Sequence, residues 1–281
     1  MMGAQRWSVV LLMLFGMSAS WAQTIELPVR DRVMARADYQ AGEKGRPAVL
    51  ILHGFLQTRE FSTVRRLGEA VHERGYSVLS PTLSLGIDAR LQSLPCEAIH
   101  THDMAQSVQE LGLWVEWLVA QGHEHIVLVG HSAGSATQVA YLDATPHPAV
   151  RQAILLSLVA FGPGPLSFET EAHAEAARAA LAEGGATVGE YAMAFCRQYP
   201  ATPASFLSYY NWSRARIGAA LGRTQIPVQI VIGSADQRMT PEWVRIMQDS
   251  SAEVVVIEGA NHFFHDVAEF DLLDVVEGLL P

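Results

Sequence analysis

The chain has 281 residues, 49% of them hydrophobic and 17% charged, and carries a formal net charge of −10. That length supplies one large domain with a well-buried core. No Lys/Arg cluster offsets the acidity, which argues against a nucleic-acid partner and mildly disfavours anionic substrates.

The first residues read as a secretory signal peptide. Arg6 precedes an apolar run from Trp7 to Met17, and Ser20-Trp21-Ala22 carries the small residues that a signal peptidase selects. The run is too short to span a bilayer, no cysteine follows it to take a lipid, and no later stretch approaches the ~18 uninterrupted apolar residues of a membrane helix. Residues 1–22 are therefore expected to be removed. The mature chain, beginning near Gln23, is expected to be soluble and periplasmic or secreted, with its oligomeric state left open.

Thr24–Leu27 and Arg32–Ala35 alternate loosely, as one or two edge strands would. Pro47 introduces Ala48-Val49-Leu50-Ile51-Leu52, a fully apolar run that reads as a strand buried on both faces and ends at His53-Gly54-Phe55. Val64, Leu67 and Val71 predict a helix over Thr63–Arg74 with Gly75 as its stop. Tyr76–Ser80 predicts a strand closed by Pro81. A loop of about twenty residues follows, from Thr82 to His102, longer than most connections and so a candidate for lining a site. Asp103 and Gln106 mark the start of an amphipathic helix with Met104, Val108, Leu111, Val115 and Leu118 on one face.

His125-Ile126-Val127-Leu128-Val129 is again too short and apolar for an ordinary helix, and it runs directly into Gly130-His131-Ser132-Ala133-Gly134-Ser135-Ala136. The order is strand, tight turn, helix, with Ser132 at the apex and small residues flanking it where strand and helix must approach closely. This Gly-x-Ser-x-Gly unit in that context resembles the nucleophile elbow of the α/β-hydrolase superfamily. The resemblance extends over residues of about 47–160 and 225–280, where apolar runs at Ala153–Val159, Pro227–Gly233 and Ala252–Gly259 alternate with helical stretches. Asp266–Leu280 closes the chain as a helix with Val267, Phe270, Leu273, Val276 and Leu280 on its apolar stripe. The fold expected is α/β, a doubly wound, mostly parallel sheet. Residues of about 161–225 interrupt the rhythm. They combine a helix-prone Glu169–Glu183 with Tyr191, Phe195, Tyr199, Phe206, Tyr209, Tyr210 and Trp212, and stand where the superfamily carries a helical lid. These aromatics form either the lid's own core or the wall of an acyl or aryl pocket.

A serine hydroxyl needs an imidazole to take its proton, and the imidazole needs a carboxylate to fix its tautomer. The superfamily places these in the chain order Ser, acid, His. Here Asp236 follows the Val228–Gly233 run and His262 follows the last strand, so the resemblance implies Ser132, Asp236 and His262 as catalytic residues. His265 is the nearest rival, at the start of the closing helix. Backbone N–H groups of Ala133 and Phe55 are the implied oxyanion-hole donors, and His53 is read as ordering its loop. The pairs His100/His102 and His123/His125 lack a third ligand at metal spacing, so no metal and no cofactor are expected. Cys96 in the long loop and Cys196 in the insertion both fall in segments expected above the carboxyl edge of the sheet. Export removes the reducing environment, so a disulfide between them is expected, with two separate buried thiols as the alternative. The implied activity is hydrolysis of a small-molecule ester, with thioester or amide also open, through an acyl-enzyme. A serine peptidase or a catalytically silent binding module of the same fold are the alternatives.

Overall fold

The computed structural model describes residues 22–281; the expected signal peptide lies outside them except for Ala22. The chain opens with β1 (Gln23–Arg30) and β2 (Val33–Gln40), two full antiparallel strands where only loose alternation could be read. Then come β3 (Ala48–Leu52), α1 (Ser62–Glu73), β4 (Ser77–Thr82), α2 (Met104–Ala120), β5 (Ile126–His131), α3 (Ala133–Asp143) and β6 (Val150–Leu156). The insertion supplies α4 (Glu171–Ala182), β7 (Gly189–Met193), β8 (Cys196–Ala201), α5 (Pro203–Tyr210) and α6 (Arg214–Arg223). The sheet resumes with β9 (Val228–Gly233), α7 (Pro241–Gln248), β10 (Glu253–Ile257) and α8 (Ala268–Leu279).

Eight strands form one sheet in the order β1-β2-β4-β3-β5-β6-β9-β10. β1 and β2 are antiparallel to their neighbours and the rest of the sheet is parallel. β3 and β5 are buried throughout because alternate side chains feed two cores. Leu50, Leu52, Ile126 and Leu128 face one, and Val49, Ile51, Val127 and Val129 face the other. An uninterrupted apolar run is what a strand covered by helices on both faces requires. α1 and α8 cover one face; α2, α3, α6 and α7 cover the other, with Trp114, Val139, Ile217 and Trp243 among their buried residues. This is the doubly wound α/β fold.

Three local expectations change. Pro81 lies inside β4 opposite Ala37, and the strand runs on to Thr82. β3 pairs β4 only through Leu79, so the missing N–H of Pro81 costs no bond on that side. β6 stops at Leu156 rather than Val159 because Ser157 turns the chain away with φ of 44°. In α8 the buried residues are Leu272 and Val276, while Val267 and Phe270 are 75% and 68% exposed.

The insertion is only partly helical. β7 and β8 form a separate antiparallel hairpin with Tyr191 opposite Tyr199. α6 packs on α3, within the helical layer of the sheet. The long loop after β4 is fastened to this insertion at several points. Cys96 and Cys196 are joined by a disulfide with their Cα atoms 5.3 Å apart. His100 bridges to Ala201, and its ring stacks on Tyr199 at a centroid distance of 4.0 Å. His102 Nδ1 and the Tyr209 hydroxyl are 2.8 Å apart.

Candidate active site

The elbow is built by absent side chains. A Cβ on Gly134 would stand 2.6 Å from the Leu52 carbonyl oxygen, and one on Gly130 would stand 2.7 Å from the Ser135 nitrogen. Neither contact is tolerable, so glycine at both positions lets α3 start directly against β3 and β5. The Ser135 hydroxyl donates to the Gly130 and Leu156 carbonyls at 2.7 and 3.0 Å, tying helix to strand. At the apex Ser132 adopts φ 56° and ψ −120°, a conformation costing about 1–3 kcal/mol that these contacts enforce. Its N–H donates to Leu156 at 2.8 Å, leaving the side chain to project over the sheet edge.

His262 comes from the loop after β10 and Asp236 from the loop after β9. The His262 Nε2 to Ser132 Oγ distance is 2.9 Å, and the Nδ1 to Asp236 Oδ2 distance is 2.6 Å. Asp236 is buried, and burial alone would push its carboxyl up. The bond and charge of His262, with the N–H and guanidinium of Arg238, outweigh that and hold the carboxyl below its ordinary value. It is therefore an anion aimed at Nδ1, which fixes Nδ1–H and leaves Nε2 to accept from the serine hydroxyl. His265 is exposed and its N–H is occupied by Asn261, so the rival histidine is absent from the site.

The two N–H groups singled out for an oxyanion border the same cleft as Ser132. Ala133 begins α3, where a helical N–H has no partner within the helix. Among the described residues neither Ala133 N–H nor Phe55 N–H has an acceptor. The loop carrying Phe55 is closed on itself, Gln57 N–H donating to Gly54 O at 3.2 Å and Gly54 N–H to Gln57 Oε1 at 3.1 Å. His53 braces it from below. Its Nε2 accepts from Leu83 N–H at 3.0 Å, so Nδ1 carries the hydrogen and donates to Gly54 O at 2.8 Å. Burial, with Arg90 nearby, lowers its pKa to about 3, so the ring remains neutral.

Several supporting residues escaped sequence reasoning. Arg90 is buried and donates to the carbonyls of Leu83 at 2.7 Å, Gln57 at 2.8 Å and Gln92 at 2.9 Å, stapling the Phe55 loop to the long loop. His131, the variable residue before Ser132, donates from Nε2 to the His262 carbonyl at 3.0 Å, and the Ser157 hydroxyl donates to the same oxygen at 3.0 Å. Burial and the neighbouring His262 lower the His131 pKa to about 3, so it acts as a neutral donor. Only its place inside the elbow motif could have drawn attention to His131; Arg90 and Ser157 left no signal. His100 and His102 are spent on Tyr199 and Tyr209, and no metal-binding group of His, Cys, Asp or Glu occurs among the described residues.

Above Ser132 lies a cleft of about 800 Å³, open mouth included, walled by Phe55, Phe161, Phe195, Trp243 and Phe263. Phe55 packs edge-on to Phe161 and Phe195 at 5.9 and 6.0 Å, so the insertion's aromatics contribute to both the lid core and the cleft wall.

A parallel-rich α/β sheet with a serine elbow and a buried Asp-His pair at its carboxyl edge defines the architecture of an α/β hydrolase. The chain belongs to the alpha/beta hydrolase family, whose profile matches residues 49–273. No curated protein matches it. Among solved structures it is similar to Est1E from Butyrivibrio proteoclasticus, at 17% identity and a TM-score of 0.63, over 92% of this chain and 96% of that one. It is also similar to the alpha/beta hydrolase GrgF from Penicillium sp. sh18, at 14% identity and a TM-score of 0.67, over 92% and 96% of the two chains. The esterase domain of a Rhodothermus marinus protein aligns at 14% identity and a TM-score of 0.60, over 92% and 97%. At such identities these likenesses establish the fold.

Proposed function

We propose that the protein is an exported serine hydrolase that cleaves carboxylic esters through an acyl-enzyme on Ser132. The observation that carries this is the unbroken relay of Ser132, His262 and Asp236 at 2.9 and 2.6 Å, opening on a cleft. His262 Nε2 takes the serine proton as Oγ attacks the ester carbonyl, and Asp236 stabilises the imidazolium. The N–H groups of Ala133 and Phe55 receive the developing oxyanion, and His262 returns its proton to the departing alcohol oxygen. Water, activated by the same imidazole, then releases the acid and restores Ser132.

The esterase and hydrolase neighbours favour an ester over a peptide bond, and the aromatic cleft suits an aryl or acyl group. Export rests on the apolar run at residues 7–17 and on the disulfide. Among the described residues no helix is long and apolar enough to cross a membrane. Treating the purified protein with a fluorophosphonate probe and mapping the adduct tests the reading. Labelling of Ser132 that disappears in Ser132→Ala is expected. No labelling, or labelling that persists in that variant, refutes it and favours the silent binding module.

A further inference from the structure

Two guanidinium groups line the cleft beside the serine, and among the described residues neither is held there by a hydrogen bond. Arg214, at the start of α6, and Arg238, in the loop carrying Asp236, have side chains only 24% and 26% exposed. A covered guanidinium ordinarily spends its five N–H donors on carbonyls or carboxylates, as Arg90 does here. Among the described residues neither Arg214 nor Arg238 makes a side-chain hydrogen bond. Each has one ion pair at 3.6 Å, Arg214 with the exposed Glu242 and Arg238 with the far oxygen of Asp236, beyond hydrogen-bond reach.

Arg214 Nη2 lies so close over Gly164 that a Cβ there would stand 2.8 Å from it, and Gly164 itself lines the cleft. Trp243, on the same wall, is pinned by its indole N–H donating to Leu158 O at 3.0 Å. The third charged group on the wall, Glu169, is buried and turned into its own turn, where Ser167 Oγ and Gly162 N–H donate to it. It makes no ion pair with either arginine. A chain with ten more acidic than basic residues thus sets two cations with unspent N–H donors in an aromatic cleft, where reduced dielectric strengthens their pull on an anion.

We infer that the substrate is an ester bearing a carboxylate, with Arg214 and Arg238 as specificity-determining residues that receive it while the aromatic wall takes the apolar part. Local charge here overrides the net acidity that argued against anionic substrates. The inference rests on the serine-hydrolase reading. Arg238 also steadies Asp236, so Arg214 is the informative position.

Hydrolysis of two matched ester pairs by the full chain tests it. p-Nitrophenyl glutarate monoester against p-nitrophenyl valerate places the carboxylate on the acyl side; p-carboxyphenyl butyrate against p-carbamoylphenyl butyrate places it on the leaving side. A kcat/KM preference for the anionic member of at least one pair, roughly ten- to hundredfold, is expected for charge-assisted recognition. Arg214→Gln should narrow that ratio mainly through KM, Arg214→Lys should retain part of it, and Arg214→Glu should reverse it. On the unaltered protein, benzoate should inhibit valerate-ester turnover more strongly than benzamide. Ratios near one for both pairs, or ratios unmoved by Arg214→Glu, overturn the inference while fluorophosphonate labelling of Ser132 leaves the hydrolase intact. Failure of both labelling and turnover refutes the hydrolase reading and takes this one with it.

Discussion

The floor of the cleft and the roof above it are built by different means. On the floor, Ser132, Asp236 and His262 sit in turns at the ends of three parallel strands, and hydrogen bonds to main-chain carbonyls set their positions: Ser132 N–H to Leu156 O, Ala235 N–H to Ala260 O at 2.9 Å, and the His131 ring and Ser157 hydroxyl onto the His262 carbonyl. The roof is held mainly by side chains, with the His100 bridge, its N–H donating to Pro200 O at 2.8 Å, as its main-chain link to the long loop. The Phe161, Tyr199 and Tyr209 rings pack the insertion on Phe55, and a disulfide and the His100 stack bind it to the long loop. A floor set by backbone geometry tolerates little change and suits chemistry; a roof set by ring packing can be refilled and suits substrate choice.

Changes on the floor should therefore strike turnover. Asp236→Asn keeps the shape but removes the anion that fixes Nδ1–H on His262, presenting Nε2 in the wrong tautomer. A fall of about four orders of magnitude in kcat is expected, with the unfolding midpoint nearly unchanged. Steady-state kinetics on a neutral aryl ester beside circular dichroism checks both halves. Near-normal turnover would mean that another acid serves His262.

A change to the roof should instead strike stability and KM. Replacing Cys96 and Cys196 together by serine opens a link across 100 residues of chain, for which about 2–5 kcal/mol is expected from denaturant unfolding. Phe195, beside Cys196, lines the cleft, so KM should rise while kcat on a small ester changes little. A collapse of kcat with KM unchanged would erase the division between floor and roof.

The same division decides what could be read from the sequence. β3, β5 and β9 announce themselves because short, mostly apolar runs between turn signals have no other use. The choice of Ser132, Asp236 and His262 rests on the resemblance to the superfamily's chain order, applied to residues that follow strand ends. The hairpin of β7 and β8 did not announce itself, since two short strands paired only with each other carry no sheet-core pattern. In α8 the apolar residues cover more than one face, the predicted stripe caught only Val276 of the two buried residues, and packing on α1 buries Leu272 with it. Arg214 and Arg238 were illegible for a deeper reason: a cation facing a cleft differs from one facing bulk water only through the path of the insertion.

Acid offers the mildest test of the comparison. On the floor, burial holds His53 and His131 at a pKa of about 3 against an ordinary 6.5, so each binds its proton more weakly folded than unfolded. Stability therefore falls as the pH drops through 6.5 and continues to fall toward the folded value, by about 1.4 kcal/mol per ring one unit below 6.5. In the roof, burial lowers His102 to about 3 and so adds to the same loss in acid, whereas burial raises the Glu169 carboxyl despite the bonds from Ser167, Ala194 and Gly162. The Glu169 contribution has the opposite sign: full below the ordinary glutamate value and lost as the pH rises through the elevated one. The thermal midpoint of the unaltered protein should thus decline from pH 7 toward about pH 5.5, the buried histidines prevailing over Glu169. Glu169→Gln, which keeps an acceptor for Ser167 without the charge, should gain on the unaltered protein as pH rises and lose that advantage in acid. Scanning calorimetry of both proteins across that range reads the two signs separately. A midpoint difference that is flat with pH would show that the Glu169 carboxyl is as well solvated folded as unfolded.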